Sequence, residues 1–514
     1  MFDGIISLTI FLPAISAVII LFFLKNKNTI RYFANFTTGI VFIFSLLIFF
    51  SYDTDLSGFQ MIDYFERWIP FEYLRSSYIV GVDGLSAPLV LLTGILGFVS
   101  TLASIRVEKR VKEYHIWLLV LISSVFGVFV SLDLLLFFIF FEFELIPMYM
   151  LISIWGSGRP KYSAMKFVLF TLFGGALMLI GILSIYMSPD IGTLMMVSIP
   201  ELGLVGIPEL IKYSNLLIPA SFVFFLFFIA FSIKLPSWPL HSWLPDAHTD
   251  APTAVSVMLA GVLLKMAGYG LIRINIGFFQ NTKGFTIYDV SLYISILAAI
   301  SVVYGGIITV RQTDMKRLIA FSSISHMGFV MLGVSAIGQS SINTSIAGIN
   351  GAALQMFTHG TITGLAFLMV GYTYERTHTR HIPHLGGLWH KIPIIAIFFF
   401  ISGFASLGLP MLSGFVSEIM IFLATYKIWP VATIVSAFGV VLAAGYILWM
   451  IQRIFFGVKP PDEIFSDDVY NQIHDVKRFD LLPILLLAIP VFLVGVWPSF
   501  LTDIINLGIE GIIR

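Results

Sequence analysis

Cysteine is absent from all 514 residues. That excludes disulfides, thiolate-ligated zinc and cysteine-ligated iron–sulfur clusters. Charge is scarce as well: 11% of residues are Asp, Glu, Lys or Arg, against roughly 25% in soluble domains. With 58% hydrophobic residues, a soluble chain of this length could not cover its surface with polar groups, whereas lipid as solvent removes that demand. Formal net charge is zero and no basic tract stands out, so nothing favours nucleic acid. No glycine-rich GxGxxG or P-loop segment follows a plausible strand. Redox or nucleotide chemistry, if any is involved, must sit on another chain. What is abundant is apolar bulk, including 50 phenylalanines.

The apolar residues fall into long runs. A membrane-crossing helix needs roughly 20 of them. The sequence predicts about fourteen, near 4–24, 32–51, 84–105, 114–132, 133–155, 163–187, 216–235, 253–274, 290–310, 317–338, 347–373, 392–425, 431–452 and 480–501; they are numbered helix 1 to helix 14 below. The first run is too long for a cleaved signal, and Asp3 stands where a signal would be basic, so it reads as a retained helix. Helices 4 and 5 abut at Asp133, which requires a tight turn. No strand pattern or soluble domain is expected to interrupt the series.

Lys and Arg set the orientation of such a chain. With the N-terminus outside, the inner segments hold 20 of the 29 and the outer ones 7, namely Arg67, Arg75, Lys212, Arg273, Lys283, Lys427 and Arg514. The remaining two are Lys234 and Lys265, inside helices. This asymmetry predicts both termini outside and an even number of crossings.

Two helices read as broken. Helix 7 runs into Pro236 and Pro239 in FSIKLPSWPLHSWLPDAH, and helix 12 is interrupted at SLGLPMLSG, around Pro410. Proline removes a helix hydrogen bond, and freed backbone at membrane depth is tolerated where it is buried in protein or lines a wet cavity. Breaks at matching places in two halves point to inverted repeats around a transport path. Helix counting places the repeats at 111–275 (helices 4–8) and 288–455 (helices 9–13), preceded by helices 1–3 in 1–110 and followed by a loop and helix 14 in 456–514.

Ionisable residues in spanning helices cost about 2.5–3.5 kcal/mol each on insertion scales and so are functional candidates. Helix 5 carries Glu142 and Glu144, which point to nearly opposite sides. Lys234 ends helix 7, where it can also snorkel to the interface, and Lys265 lies in helix 8 with apolar residues before it. His326 in helix 10 and His359 in helix 11 suit proton transfer, although either can be a hydrogen-bonded core residue. Glu418 follows the break in helix 12. A buried lysine whose proton affinity responds to a neighbouring charge is what a relay needs. This chain has no fuel site, and each proton moved against about 100 mV costs about 2.3 kcal/mol, so the energy must come from a partner. His241, His248, Asp246 and Asp250 form either the mouth of an uptake path or a polar loop. Trp238 and Trp243 suit interface anchors. His378, His381, His384 and His390 lack a carboxylate or thiolate partner set, and no metal or cofactor is expected on this chain.

The segment KLPSWPLHSWLPDAHTDAPTAVSVMLAGVLLKMAGYGLIR closely resembles the central signature of the antiporter-like subunits of complex I. FEFELIPMYMLISIWG and RTHTRHIPHLGGL resemble in particular the chain M (subunit 4) branch of NADH-quinone oxidoreductase. The resemblance covers essentially the whole chain. It implies fourteen helices with helices 7 and 12 broken, and a bacterial inner (cytoplasmic) membrane location. It also implies neighbouring membrane-arm subunits, including sister antiporter-like chains, with NADH, FMN, iron–sulfur clusters and quinone on partners. It implies proton translocation through Glu142, Lys234, Lys265, His326, His359 and Glu418. The family glutamate precedes the proline of helix 5 by five residues, which selects Glu142 as the partner of Lys234 and leaves Glu144, with His241, in a supporting role. FVSE stands here where relatives often have FVGE. The chain ends soon after helix 14, without the lateral helix of the larger sister subunit. Subunits of Mrp-type sodium/proton antiporters share the central signature and are the alternative.

Overall fold

The computed structural model describes residues 4–56, 58–66, 68–69, 75–338, 341–459, 461 and 467–513. Asp3, Arg67 and Arg514, used above for the first helix and the charge asymmetry, lie outside them. Twelve of the described helices are long and apolar enough to cross a membrane. Two shorter ones, Ala220–Lys234 and Pro393–Ser406, continue after a break as Trp243–Asp250 and Ser413–Ile428. These are helices 7 and 12, interrupted at their prolines, and the total is fourteen. Helices 8 (Thr253–Phe279) and 11 (Ile342–Thr377) form the centre: the most apolar window of each is 100% buried, against 39% for helices 2, 13 and 14 at the rim. The groups expected to carry chemistry therefore sit where protein, not lipid, surrounds them.

Turns follow the local chemistry. At the abutment of helices 4 and 5, Asp133 accepts hydrogen bonds from the Leu135 and Leu136 amides at 2.9 and 3.0 Å, capping helix 5. Ser76 and the Ser77 amide donate to the same carboxylate. Burial still outweighs these donors and pushes Asp133 up to about 6.

Three features depart from the sequence-based expectation. A two-stranded antiparallel hairpin, β1 (Gln60–Phe65) with β2 (Tyr78–Val82), lies between helices 2 and 3. The strands are short, irregular in register near Gln60, and supported by Leu132, whose amide donates to the Ile79 carbonyl. A further helix, Ser499–Ile513, follows helix 14. It packs so closely that a Cβ on Gly84 would lie 2.0 Å from the Ile504 carbonyl oxygen. Trp243, expected as an interface anchor, is fully buried, and its indole N–H donates to the Ile233 carbonyl at 2.8 Å. It satisfies a backbone group close to where helix 7 breaks; Trp238 is the exposed one of the pair.

Candidate functional site

Helix 8 is irregular where it matters. Two π segments, Leu259–Leu263 and Leu271–Ile276, flank Lys265. π-bulges shift the backbone ladder by one residue and recur at functional sites. Here the Lys265 ammonium donates to the Ala260 carbonyl, five residues back. Its nitrogen also lies 2.8 Å from His359 Nδ1 on helix 11. The His359 and His326 rings are 5.5 Å apart. His326 Nδ1 lies 3.4 Å from Glu418 Oε1, and its Nε2 lies 3.0 Å from the Ser406 hydroxyl.

These groups come from four helices and form one lateral line, Lys265–His359–His326–Glu418. His326, His359, Ser406 and Glu418 border a small cavity of about 10 Å³, the room for roughly one water. The break in helix 12 shapes this end. Gly408 adopts φ +75°, and a Cβ there would sit 2.9 Å from Glu418 Oε2. Only glycine combines that backbone with that clearance.

The first-half pair differs from the expectation. Lys234 forms its ion pair with Glu144, not Glu142. Both side chains are almost wholly buried, at 3% and 0% exposure. The ammonium also donates to the Phe141 carbonyl at 3.2 Å and lies 3.8 Å from the centre of the Phe141 ring. Glu142 instead lies over helix 6, where a Cβ on Gly175 would come within 2.1 Å of its Oε1, an oxygen without a hydrogen-bonding partner. The physical cause is local. Pro147 removes a backbone donor and clashes with the carbonyl four residues before it. Helix 5 accordingly divides into Leu134–Phe143 and Leu145–Trp155 at Glu144. A count along an unbroken helix misses that interruption.

Between the two clusters, no hydrogen bond or ion pair joins Lys234 to Lys265 among the described residues. His248 lies within electrostatic range of both Lys265 and His359. It is fully buried and stacked on Phe367 at 4.8 Å, with both ring nitrogens unpartnered. The sequence placed it in a loop, yet it belongs to the second part of broken helix 7. Its signal was the same Pro-flanked segment that marked the break. His241 packs against the Tyr304 ring at 4.9 Å. Asp246 binds Lys166 at 2.8 Å, and Asp250 accepts from Ser163 and the Arg159 amide, so these two acids tie the broken helix to helix 6.

Arg273, counted above among outer segments, lies inside helix 8 and is buried against Asp83, with Nη2 to Oδ2 at 2.5 Å. The hydropathy signal fades near 274, whereas the helix continues to Phe279.

Comparison with known proteins is decisive at this point. Residues 131–443 match the family described as "NADH:quinone oxidoreductase/Mrp antiporter, TM". NADH-quinone oxidoreductase subunit M of Rickettsia felis is 35% identical over 517 residues, covering 99% of this chain and 98% of that one. The chain belongs to the NADH-quinone oxidoreductase subunit M family. Its structure superposes on a chain of respiratory complex I from Thermus thermophilus with a TM-score of 0.83 at 26% identity, covering 99% of this chain and all of that one. The Mrp complex from Dietzia sp. contains a chain that matches at TM-score 0.78 but 19% identity, a likeness of fold alone. As a subunit M family member, the chain is a multi-pass membrane component of bacterial respiratory complex I.

Proposed function

We propose that this chain translocates protons along Lys234, Lys265, His359, His326 and Glu418, with Glu144 as the charge that governs Lys234. The observation that carries this reading is the line from Lys265 to Glu418, in which four titratable groups from four helices lie beside one another and around one small cavity. Buried ionisable groups are costly to retain. A chain that only braced the membrane arm would gain nothing from four of them in a row.

The Glu144–Lys234 pair supplies the switch. When the pair is closed, the ammonium keeps its proton beside the carboxylate; when a charge elsewhere in the arm draws Glu144 away, the lysine is left in an apolar site and gives the proton up. His248, with two free nitrogens, is placed to pass protons toward Lys265 and His359. The second half then delivers them to Glu418. Glu142 has a supporting place on the helix 6 side, and His241 borders the uptake side of helix 7. Quinone reduction on partner subunits is the energy source, and NADH, flavin, iron–sulfur clusters and quinone are held there. The termini lie on the outer face of a bacterial inner membrane, with sister antiporter-like subunits alongside.

Lys234→Ala in the assembled complex tests the switch. The expected result is loss of NADH-driven proton uptake into inverted vesicles with the subunit still present. Normal uptake in that variant would remove Lys234 from the scheme.

A further inference from the structure

A second polar feature lies outside the line from Lys265 to Glu418. On the Lys/Arg-poor face, between the start of helix 3, the end of helix 8 and the final helix, is a pocket of about 390 Å³. Asp83, Glu201, Glu209, Lys212, Arg273 and Gln280 are among its lining residues. Polar lining of this extent favours water rather than lipid.

The buried Asp83–Arg273 pair closes its inner end. Asp83 Oδ1 accepts the Ser86 amide at 2.9 Å and so is tied to the first turn of helix 3, which leaves Oδ2 for Arg273. Arg273 Nε donates to the Tyr269 hydroxyl at 3.2 Å. Lys265 and Tyr269, four residues apart in the α-helical part of helix 8, share one face, and Arg273, in the π segment that follows, is joined to Tyr269 by that hydrogen bond. The span from Lys265 to Arg273 is about 12 Å at the ordinary helical rise. Tyr269 stands between them, buried and hydroxyl-bearing.

We propose that this pocket is a water-filled outer mouth and that the Asp83–Arg273 pair is the barrier separating it from Lys265. The proposal rests on the assignment of Lys265 to the proton relay. When Arg273 swings off Asp83, the Lys265 ammonium passes its proton by way of water beside the Tyr269 hydroxyl directly to water in the mouth; Asp83 anchors the guanidinium and does not itself carry the proton. Only a proton moves, and no bond other than N–H and O–H is made or broken. The route bypasses His359, His326 and Glu418. A closed pair prevents the same path from short-circuiting the gradient, because Asp83 holds the guanidinium across the path, where it repels an incoming proton.

The experiment uses sealed vesicles carrying the assembled complex without NADH, and follows the decay of an imposed pH gradient. Asp83→Asn weakens the pair, and the expected result is a leak about tenfold faster, equivalent to about 1.4 kcal/mol off the barrier. The leak should vanish in Asp83→Asn/Lys265→Met and persist in Asp83→Asn/Glu418→Gln. An unchanged decay in Asp83→Asn, a leak indifferent to Lys265, or one abolished by Glu418→Gln overturns the proposal. None of these touches the relay itself, which stands or falls on NADH-driven uptake. Should Asp83→Asn fail to assemble, the absence of native cysteine provides a second measurement on this chain. Gly277 lines the mouth, and a Cβ there meets its nearest atom at 3.7 Å, so Gly277→Cys fits. It should react with a membrane-impermeant charged thiol reagent from the Lys/Arg-poor face only. Protection from both faces, or reaction from the opposite face, overturns a water-filled mouth.

Discussion

Lys265→Met is expected to leave an assembled complex whose NADH-driven proton uptake through this chain is lost. Lys265 is the junction of the account. It belongs to helix 8, whose central window is wholly buried, and it touches both the π-turn carbonyl of Ala260 and the first histidine of the lateral line. Methionine is unbranched, flexible and of similar length, so it fills the site with little steric cost. Loss of the ammonium's hydrogen bond to the Ala260 carbonyl costs about 1 kcal/mol, which a fourteen-helix subunit held in a larger assembly absorbs. The amine is gone, however, and with it the first-half group that lies within hydrogen-bonding distance of His359. Proton uptake per NADH oxidised, read with a pH-sensitive dye in inverted vesicles, checks this. Native uptake in Lys265→Met would mean that protons pass elsewhere.

The second large effect separates the two glutamates of helix 5. Glu144→Gln is expected to impair pumping far more than Glu142→Gln. Removing one partner of a buried ion pair costs about 3–5 kcal/mol, because the other charge is left uncompensated. Lys234 would then be an ammonium in contact with the Phe141 carbonyl and ring, with the Glu142 carboxylate in electrostatic range but not paired with it. Glu142 forms no ion pair: it feels Lys234 only at longer range, and its carboxylate lies against Gly175 of helix 6. Comparing proton uptake per NADH in the two variants decides between the pairing seen here and the one implied by spacing from Pro147. A larger loss in Glu142→Gln would restore the spacing argument and demote the ion pair to a resting contact.

That contrast shows what could be read from the chain and what could not. The fourteen crossings were legible because runs of 18 or more apolar residues have few other uses. The breaks in helices 7 and 12 were legible because prolines within an apolar run remove helix hydrogen bonds, although Pro13 and Pro490 lie inside helices that remain continuous. Lys234, Lys265, His326, His359 and Glu418 were legible because a titratable group in an apolar run is costly. Which groups touch was not legible. The choice between Glu142 and Glu144 turns on how the helix is interrupted at Glu144 and on which neighbours it meets, and no residue count along an ideal helix contains that. His248 was hidden because its segment, rich in Pro, Asp and His, has the composition of a loop while the fold makes it a buried short helix. Arg273 stood one residue before the predicted end of helix 8 and was counted with the outer segment, whereas the helix continues to Phe279 and buries it against Asp83. The hairpin of Gln60–Phe65 with Tyr78–Val82 depends on partners distant in sequence, and the last helix, Ser499–Ile513, is amphipathic rather than uniformly apolar, so neither produces a membrane-length signal.

The half-channel order follows from the same geometry. Charge is handled as a pair in the first half and as a chain in the second. A pair can be opened by a change in field, whereas a chain conducts once a proton is supplied. Placing the switch at Lys234 and the line between Lys265 and Glu418 separates the step that responds to the partner subunits from the step that transports.

The central claim is that Glu418 ends this line and that protons driven by NADH oxidation pass through it. The most direct measurement is NADH oxidation and proton uptake together in inverted vesicles carrying Glu418→Gln. The account predicts an assembled complex with NADH-driven proton uptake lost. Uptake equal to that of the native complex, at the same rate of NADH oxidation, would contradict it.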